Sequence, residues 1–253
     1  AGFDLDHAYA LIWTTTPWTI PSNMAICANE AIEYVWVKVG DTAVLMAKEL
    51  VGPTMEAAKV AAYEVLPGVM TGKQIEGLVF LHPFYPERRV PVILGDHVTL
   101  EAGTGLVHTA PDHGEEDFEV CKKYAAWGLG PIGTVGPDGR YTKAVPGYEG
   151  KFALDMNVEI IKDLAASGAL FAKGSLRHQY AHCWRCKNPI IYRATEQWFS
   201  SVDGYRKKAL EAIDQVQWIP SWGHDRIYNM IRDRGDWCIS RQRVWGVPIP
   251  IFY

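Results

Sequence analysis

Apolar and polar positions alternate with a period of two over several short stretches of this chain, and that alternation predicts its first elements. Residues 9–16 are β-branched or aromatic and stop at Pro17, as a strand does. Residues 33–39 and 42–47 alternate on either side of Gly40-Asp41, a hairpin signal. Residues 77–84, 90–94 and 98–108 read as further strands. Helical spacing appears at 53–65, with Pro53 in the first turn and Ala57, Ala58, Ala61 and Ala62 favouring helix. It returns at 115–127, closed by Gly128, and at 157–169, where Val158, Ile161, Leu164 and Ala165 share a face. Between these two helices, residues 128–150 are rich in Gly and Pro and read as a long surface loop, functional or mobile. Further on, 189–193 is strand-like, 202–215 and 224–234 are helical, and 247–253 reads as a buried strand. The expected fold class is α+β: a barrel-like, mostly antiparallel β core, closed or nearly closed, surrounded by helices and followed by a mainly helical basic C-terminal segment. No alternating βαβ series is present, so a doubly wound sheet is not expected.

Charge sharpens the division. The 253 residues carry a net charge of -4, but residues 173–253 hold 13 Lys+Arg against 7 Asp+Glu, while residues 1–172 hold 12 against 22. Six of the ten tryptophans lie in the basic part. We therefore expect two domains, 1–172 and 173–253, with different partners. No apolar run is long enough to cross a bilayer, so no membrane partner is expected. The first residues lack the charged and apolar regions of a secretory signal, and five scattered cysteines make no disulfide framework. A reducing cytoplasm is the expected location, and the chain reads as a piece of something longer.

Candidate chemistry gathers in two polar runs. One is Trp13-Thr14-Thr15-Thr16-Pro17-Trp18-Thr19-Ile20-Pro21-Ser22-Asn23. Strand alternation puts Thr14 and Thr16 on one face and Thr15 on the other. Hydroxyls followed by two prolines and Asn23 make a wall of neutral donors and acceptors, able to hold a small polar ligand or a water. The other run is Gly103-Thr104-Gly105-Leu106-Val107-His108-Thr109-Ala110-Pro111-Asp112-His113-Gly114-Glu115-Glu116-Asp117, which passes from strand through loop into a helix start. Its carboxylates suit a helix N-terminus. Asp112, Glu115 and Glu116 already serve that purpose, so Asp117 is placed to bind an ammonium group by a charge-assisted hydrogen bond. His108 and His113 lack the spacing of metal ligands. Cys183-x-x-Cys186 is half of a tetrahedral zinc site, and Cys27, Cys121 and Cys238 are solitary. Phosphate-loop, dinucleotide-binding and nucleophile-elbow signatures are lacking.

On these two runs, together with residues 182–199 and 236–246, the chain closely resembles the editing insertion (CP1) of isoleucyl-tRNA synthetases, a branch of the class I aminoacyl-tRNA synthetases. Thr16 stands where valyl and leucyl relatives typically carry Arg. The resemblance implies an aminoacyl-tRNA deacylase for residues 1–172 and an incomplete return toward the catalytic core for 173–253. It implies hydrolysis of the ester of mischarged valyl-tRNA(Ile), with cognate isoleucine excluded by size. Carried over residue by residue, Asp117 binds the α-ammonium and His108 lines the side-chain pocket. Thr14, Thr15 and Thr16 surround the ester and the attacking water, with Trp13 and Asn23 in the same wall. The implied partners are the single-stranded 3′ acceptor end of tRNA(Ile), the valine moiety and the remainder of the synthetase. No cofactor is implied for editing. A structural zinc in the full-length protein would take Cys183 and Cys186, with partner ligands outside this chain. The ATP-binding signatures of the class I core are missing here, so no ligase activity is expected of this piece. Two other readings stay open: a valyl-type domain that clears threonyl-tRNA(Val), and a non-catalytic module that binds the tRNA 3′ end.

Overall fold

A computed structural model describes residues 7–175, 179–242 and 246–250. Part of the motif at 236–246 and part of the strand expected at 247–253 lie outside the described residues; the described stretch 247–250 is irregular and exposed. The chain forms two compact units, 1–194 and 195–253.

Among the described residues the first unit holds two sheets. In one, β1 (Ala8–Ala10), β4 (Thr42–Ala47), β3 (Glu33–Val39) and β5 (Glu64–Val65) lie in that order, and β6 (Met70–Thr71) also pairs β3. In the other the order is β7 (Val79–Leu81), β8 (Arg89–Leu94), β2 (Ala25–Ala28) and β9 (Val107–Thr109). Pairing is antiparallel except for β1 with β4 and β2 with β8. The fold is thus α+β, but the expected barrel closure is absent: neither sheet returns on itself. A barrel needs strands long enough to tilt and stagger around an axis. Here β1, β7 and β9 have three residues each, and β5 and β6 two.

Local physics accounts for where the periodicity held and where it did not. The β3–β4 hairpin forms as expected, with Val39 opposite Thr42 and Gly40 at φ +59° in a two-residue loop. The helix expected over 53–65 is only α1 (Val51–Ala57), because Lys59 turns to φ +57° and the chain leaves as strand before the single turn of α2 (Gly72–Ile75). The strand expected over 98–108 is a turn until Val107, since Gly103 and Gly105 take φ +80° and +73°. Gly105 also lies against Ala47, where an added Cβ would come within 2.4 Å of the Ala47 Cβ. The run 115–127 is α3 (Glu115–Lys123) plus a 3₁₀ turn over Ala125–Trp127, ended by Gly128 at φ +78°. Residues 128–150 form an irregular surface segment, as expected, but part of it is anchored in the core. Val135, Tyr141, Val145 and Tyr148 are buried with Trp18, Ile20 and Tyr85, and α4 (Asn157–Ala166) adds Ile160 and Leu164 to the same cluster. Aromatic bulk supplies that burial in place of regular structure. The second unit carries α5 (Asp203–Gln215), α6 (Trp222–Arg232) and a pairing of Phe199–Ser200 with Trp237–Cys238. Arg206 ties its helices together, donating through Nη1 to the carbonyls of Ile231 and Arg232 at the end of α6.

Candidate functional site

The two polar runs meet because β2 and β9 pair. The threonine run leads directly into β2, and Ile26 lies opposite His108, Ala25 opposite Thr109. On its other side Val107 bridges Trp13. Both ends of the threonine run are therefore anchored along β9. Pro17 does not simply end a strand. It opens a 3₁₀ helix, Pro17–Ser22, which turns Thr19 back toward Thr16. The resulting cleft has a volume of about 320 Å³. Trp13, Thr14, Thr15, Thr16, His108 and Asp117 all line it.

His108 is 8% exposed and held at both nitrogens. Asn23 Nδ2 lies 2.6 Å from Nδ1 and also donates to the Ala25 carbonyl at 2.9 Å. The amide nitrogen is thereby fixed as a donor, so Nδ1 accepts and Nε2 carries the proton. Nε2 donates to Thr19 Oγ1 at 3.0 Å, and Thr19 Oγ1 donates to the Thr16 carbonyl at 2.9 Å. Thr16 Oγ1 is 3.4 Å from Thr19 Oγ1 and 3.3 Å from Thr14 Oγ1, while Thr14 Oγ1 accepts from the Thr16 N–H. One directional chain of hydrogen bonds thus runs from Asn23 through His108 to the threonines. Burial pushes the His108 imidazole down to about 3, helped by His82 and His113, so the ring is neutral. With both nitrogens engaged it forms a rigid wall. Asn23, expected in that wall, stands behind it and orients the ring.

Asp117 sits in the first turn of α3 and accepts the Ala110 N–H at 2.8 Å through Oδ2. Burial raises its pKa, opposed by that hydrogen bond and by His97. Gly114 gives the carboxylate its place: an added Cβ there would lie 3.0 Å from both Cγ and Oδ2 of Asp117. The buried thiols of Cys27 and Cys121 are pushed up to about 12, chiefly by burial, and are not nucleophiles at neutral pH.

Sequence reasoning missed the supports of this cleft. His113, read as a loop residue, has an N–H at Nδ1 facing the Tyr192 carbonyl at 2.9 Å and Nε2 facing Thr134 Oγ1 at 2.9 Å. Asp112 accepts the N–H groups of Ile132 and Gly133 at 3.0 Å each, and its own carbonyl accepts the Ala194 N–H at 2.7 Å. Arg88 donates to the Pro21 carbonyl at 2.8 Å. His82, buried, donates from Nε2 to the Ile20 carbonyl while Nδ1 accepts the Phe84 and Tyr85 N–H groups. Two prolines leave the threonine run short of backbone donors, and carbonyls left over in such a turn are the one sequence sign that buried donors must come from elsewhere.

Cys183 and Cys186 flank one tight turn, in which Cys183 donates its N–H to Asn188 and accepts from Lys187, both at 2.8 Å. Tetrahedral zinc takes four ligands, of which two thiols would be half. Among the described residues no group of three or more His, Cys, Asp or Glu side chains is arranged to hold a metal. Nor is any described helix long and apolar enough to cross a membrane.

Residues 11–253 match the family model of the class I tRNA synthetases (I, L, M and V), and the chain belongs to that family. Isoleucine–tRNA ligases are among its relatives. The chain is 54% identical over 246 residues to the isoleucine–tRNA ligase of Desulforamulus reducens, covering 97% of this chain and 26% of that protein. Against the isoleucine–tRNA ligase of a Thermoanaerobacter species the identity is 52% over 250 residues, covering 99% and 26%. The chain therefore spans about a quarter of the length of these relatives. A crystal structure of GlLeuRS-CP1 has the same fold, with a TM-score of 0.54 at 14% identity over 68% of this chain and 87% of that one.

Proposed function

We propose that the first unit is an aminoacyl-tRNA deacylase that hydrolyses the ester of valyl-tRNA(Ile) and spares isoleucyl-tRNA(Ile). The observation that carries this reading is one cleft lined by a half-buried carboxylate, a neutral immobilised imidazole and a cluster of threonine hydroxyls. The carboxylate of Asp117 suits the α-ammonium of an aminoacyl ester. The hydroxyls of Thr14, Thr15 and Thr16 suit a water beside the ester, and positioning such a water supplies much of the rate. His108, braced by Asn23 and Thr19, is the surface against which a longer side chain stops. The need for such a cleft is established for the isoleucine and valine pair, where one methylene is worth only about 1–3 kcal/mol in a synthetic pocket. The 3′ acceptor end of tRNA(Ile) and the remainder of the synthetase are the partners this reading requires. Cys183 and Cys186 would contribute to a structural zinc completed by the rest of the protein; editing itself takes no cofactor.

The test is a deacylation assay in the parent synthetase with valyl- and isoleucyl-tRNA(Ile). Asp117→Ala should slow valyl-tRNA hydrolysis by about 10–100-fold, as expected for loss of a charged hydrogen bond. His108→Ala should expose isoleucyl-tRNA to hydrolysis. Valyl-tRNA cleared at the wild-type rate by Asp117→Ala would remove that residue from its role. Preference for a threonyl ester over a valyl ester would favour a valyl-type substrate, and binding without turnover would leave only a 3′-end binding module.

A further inference from the structure

Three imidazoles line the cleft: His97, His108 and His113. Two of them have no nitrogen left for chemistry. His108 is bonded to Asn23 and Thr19, His113 to Tyr192 and Thr134. His97 differs in every respect. It is exposed, it stands in the turn after β8, and among the described residues neither ring nitrogen makes a hydrogen bond. The turn is fixed from below, by the Gly95 N–H donated to the Ala28 carbonyl at 2.9 Å. The ring lies against the bare backbone of Gly95, where an added Cβ would lie 2.7 Å from its Cε1 and 2.8 Å from its Nδ1. The Asp117 carboxylate lines the same cleft.

We propose that His97 is a catalytic residue of this cleft, the group that accepts the proton of the attacking water. This rests on the deacylase reading above. In an aminoacyl ester the α-ammonium and the carbonyl carbon are separated by one carbon. His97 lines the same cleft as Asp117 and the threonines, so it belongs to the wall around an ester whose ammonium Asp117 holds. The water oxygen bonds to the carbonyl carbon while its proton passes to the imidazole. As the tetrahedral centre collapses, the carbonyl carbon–ribose oxygen bond breaks and the imidazolium returns the proton to the ribose oxygen. Free amino acid and the tRNA terminal hydroxyl leave. Asp117 on α3 shares the cleft with the ring, Asp96 precedes it in its own turn, and the thiol of Cys27 lies beneath Gly95. Imidazole is the side chain whose charge changes near neutral pH, which suits it to both transfers.

The experiment is single-turnover hydrolysis of valyl-tRNA(Ile) by the parent synthetase, wild type against His97→Ala and His97→Gln, with isoleucylation measured in parallel as a check of folding. Both variants should lose about 100-fold or more in kcat with KM within a few-fold of wild type. The acid limb of the wild-type pH profile should vanish, and added imidazole should restore part of the His97→Ala rate. Hydrolysis within twofold of wild type, a loss confined to KM, or a loss that imidazole does not rescue with the acid limb intact would each overturn the proposal. A wild-type enzyme that fails to hydrolyse valyl-tRNA(Ile) overturns the deacylase reading instead, so the two failures are separable.

Discussion

His108 shows how much of a residue's role is set by its neighbours. Its position at a strand end was visible in the sequence; its neutrality was not. That depends on Asn23 and Thr19, which lie 85 and 89 positions away in the chain, and on a burial that only the pairing of β2 with β9 creates. The threonines and Asp117 were legible as unusual polar density in a run that should otherwise be apolar. Thr19 was not, because only the 3₁₀ turn after Pro17 brings it back to Thr16. A stability prediction follows at this scale. Unfolded histidine titrates near 6.5, whereas folding holds His108 down to about 3 and His82 to about 4. Below 6.5 the unfolded chain takes up protons that the folded chain refuses, so stability is full above that value and declines as pH falls toward 3. Denaturant midpoints measured from pH 7 to pH 4 should fall, and His108→Gln should flatten the curve. A slope identical in the variant and the wild type would show that His108 is not responsible.

At the scale of elements, the hairpin β3–β4 was legible because alternation and turn chemistry agreed, each requiring the same two-residue loop at Gly40-Asp41. Elsewhere they conflicted, and the backbone decided. The apolar run before His108 reads as strand by composition, yet two glycines with positive φ bend it so that Tyr34 can donate to the Gly105 carbonyl at 2.8 Å. Barrel closure was inferred from many short strands interrupted by helices, and such a series fits two open sheets equally well. The helix start at Gly114 offers an element-level test. Its backbone is extended, so Gly114→Ala meets no strain of its own, but the new methyl group would crowd the Asp117 carboxylate. Deacylation of valyl-tRNA should fall about tenfold while helicity by circular dichroism stays the same, since small displacements of positioning groups have large kinetic effects. Unaltered deacylation would mean that the carboxylate adapts without loss.

For the molecule as a whole, charge and tryptophan content pointed to a change of character at 172/173, whereas the compact unit continues to 194. Composition could not reveal that residues 190–194 pack on the first unit, because their contribution is made by backbone groups and by Ile191, which joins the aromatic cluster around Trp18. The parent fragment cut after residue 194 should therefore keep its thermal midpoint, and one cut after residue 172 should unfold several degrees lower. Equal midpoints for both would return the boundary to 172/173. The carbonyl of Asp112 and the ring of His113 hold residues 192–194, the stretch by which the polypeptide leaves this unit. Tension or slack arriving along that exit is felt first by the loop between His108 and Asp117, so the polypeptide's way out doubles as a tether on its own cleft.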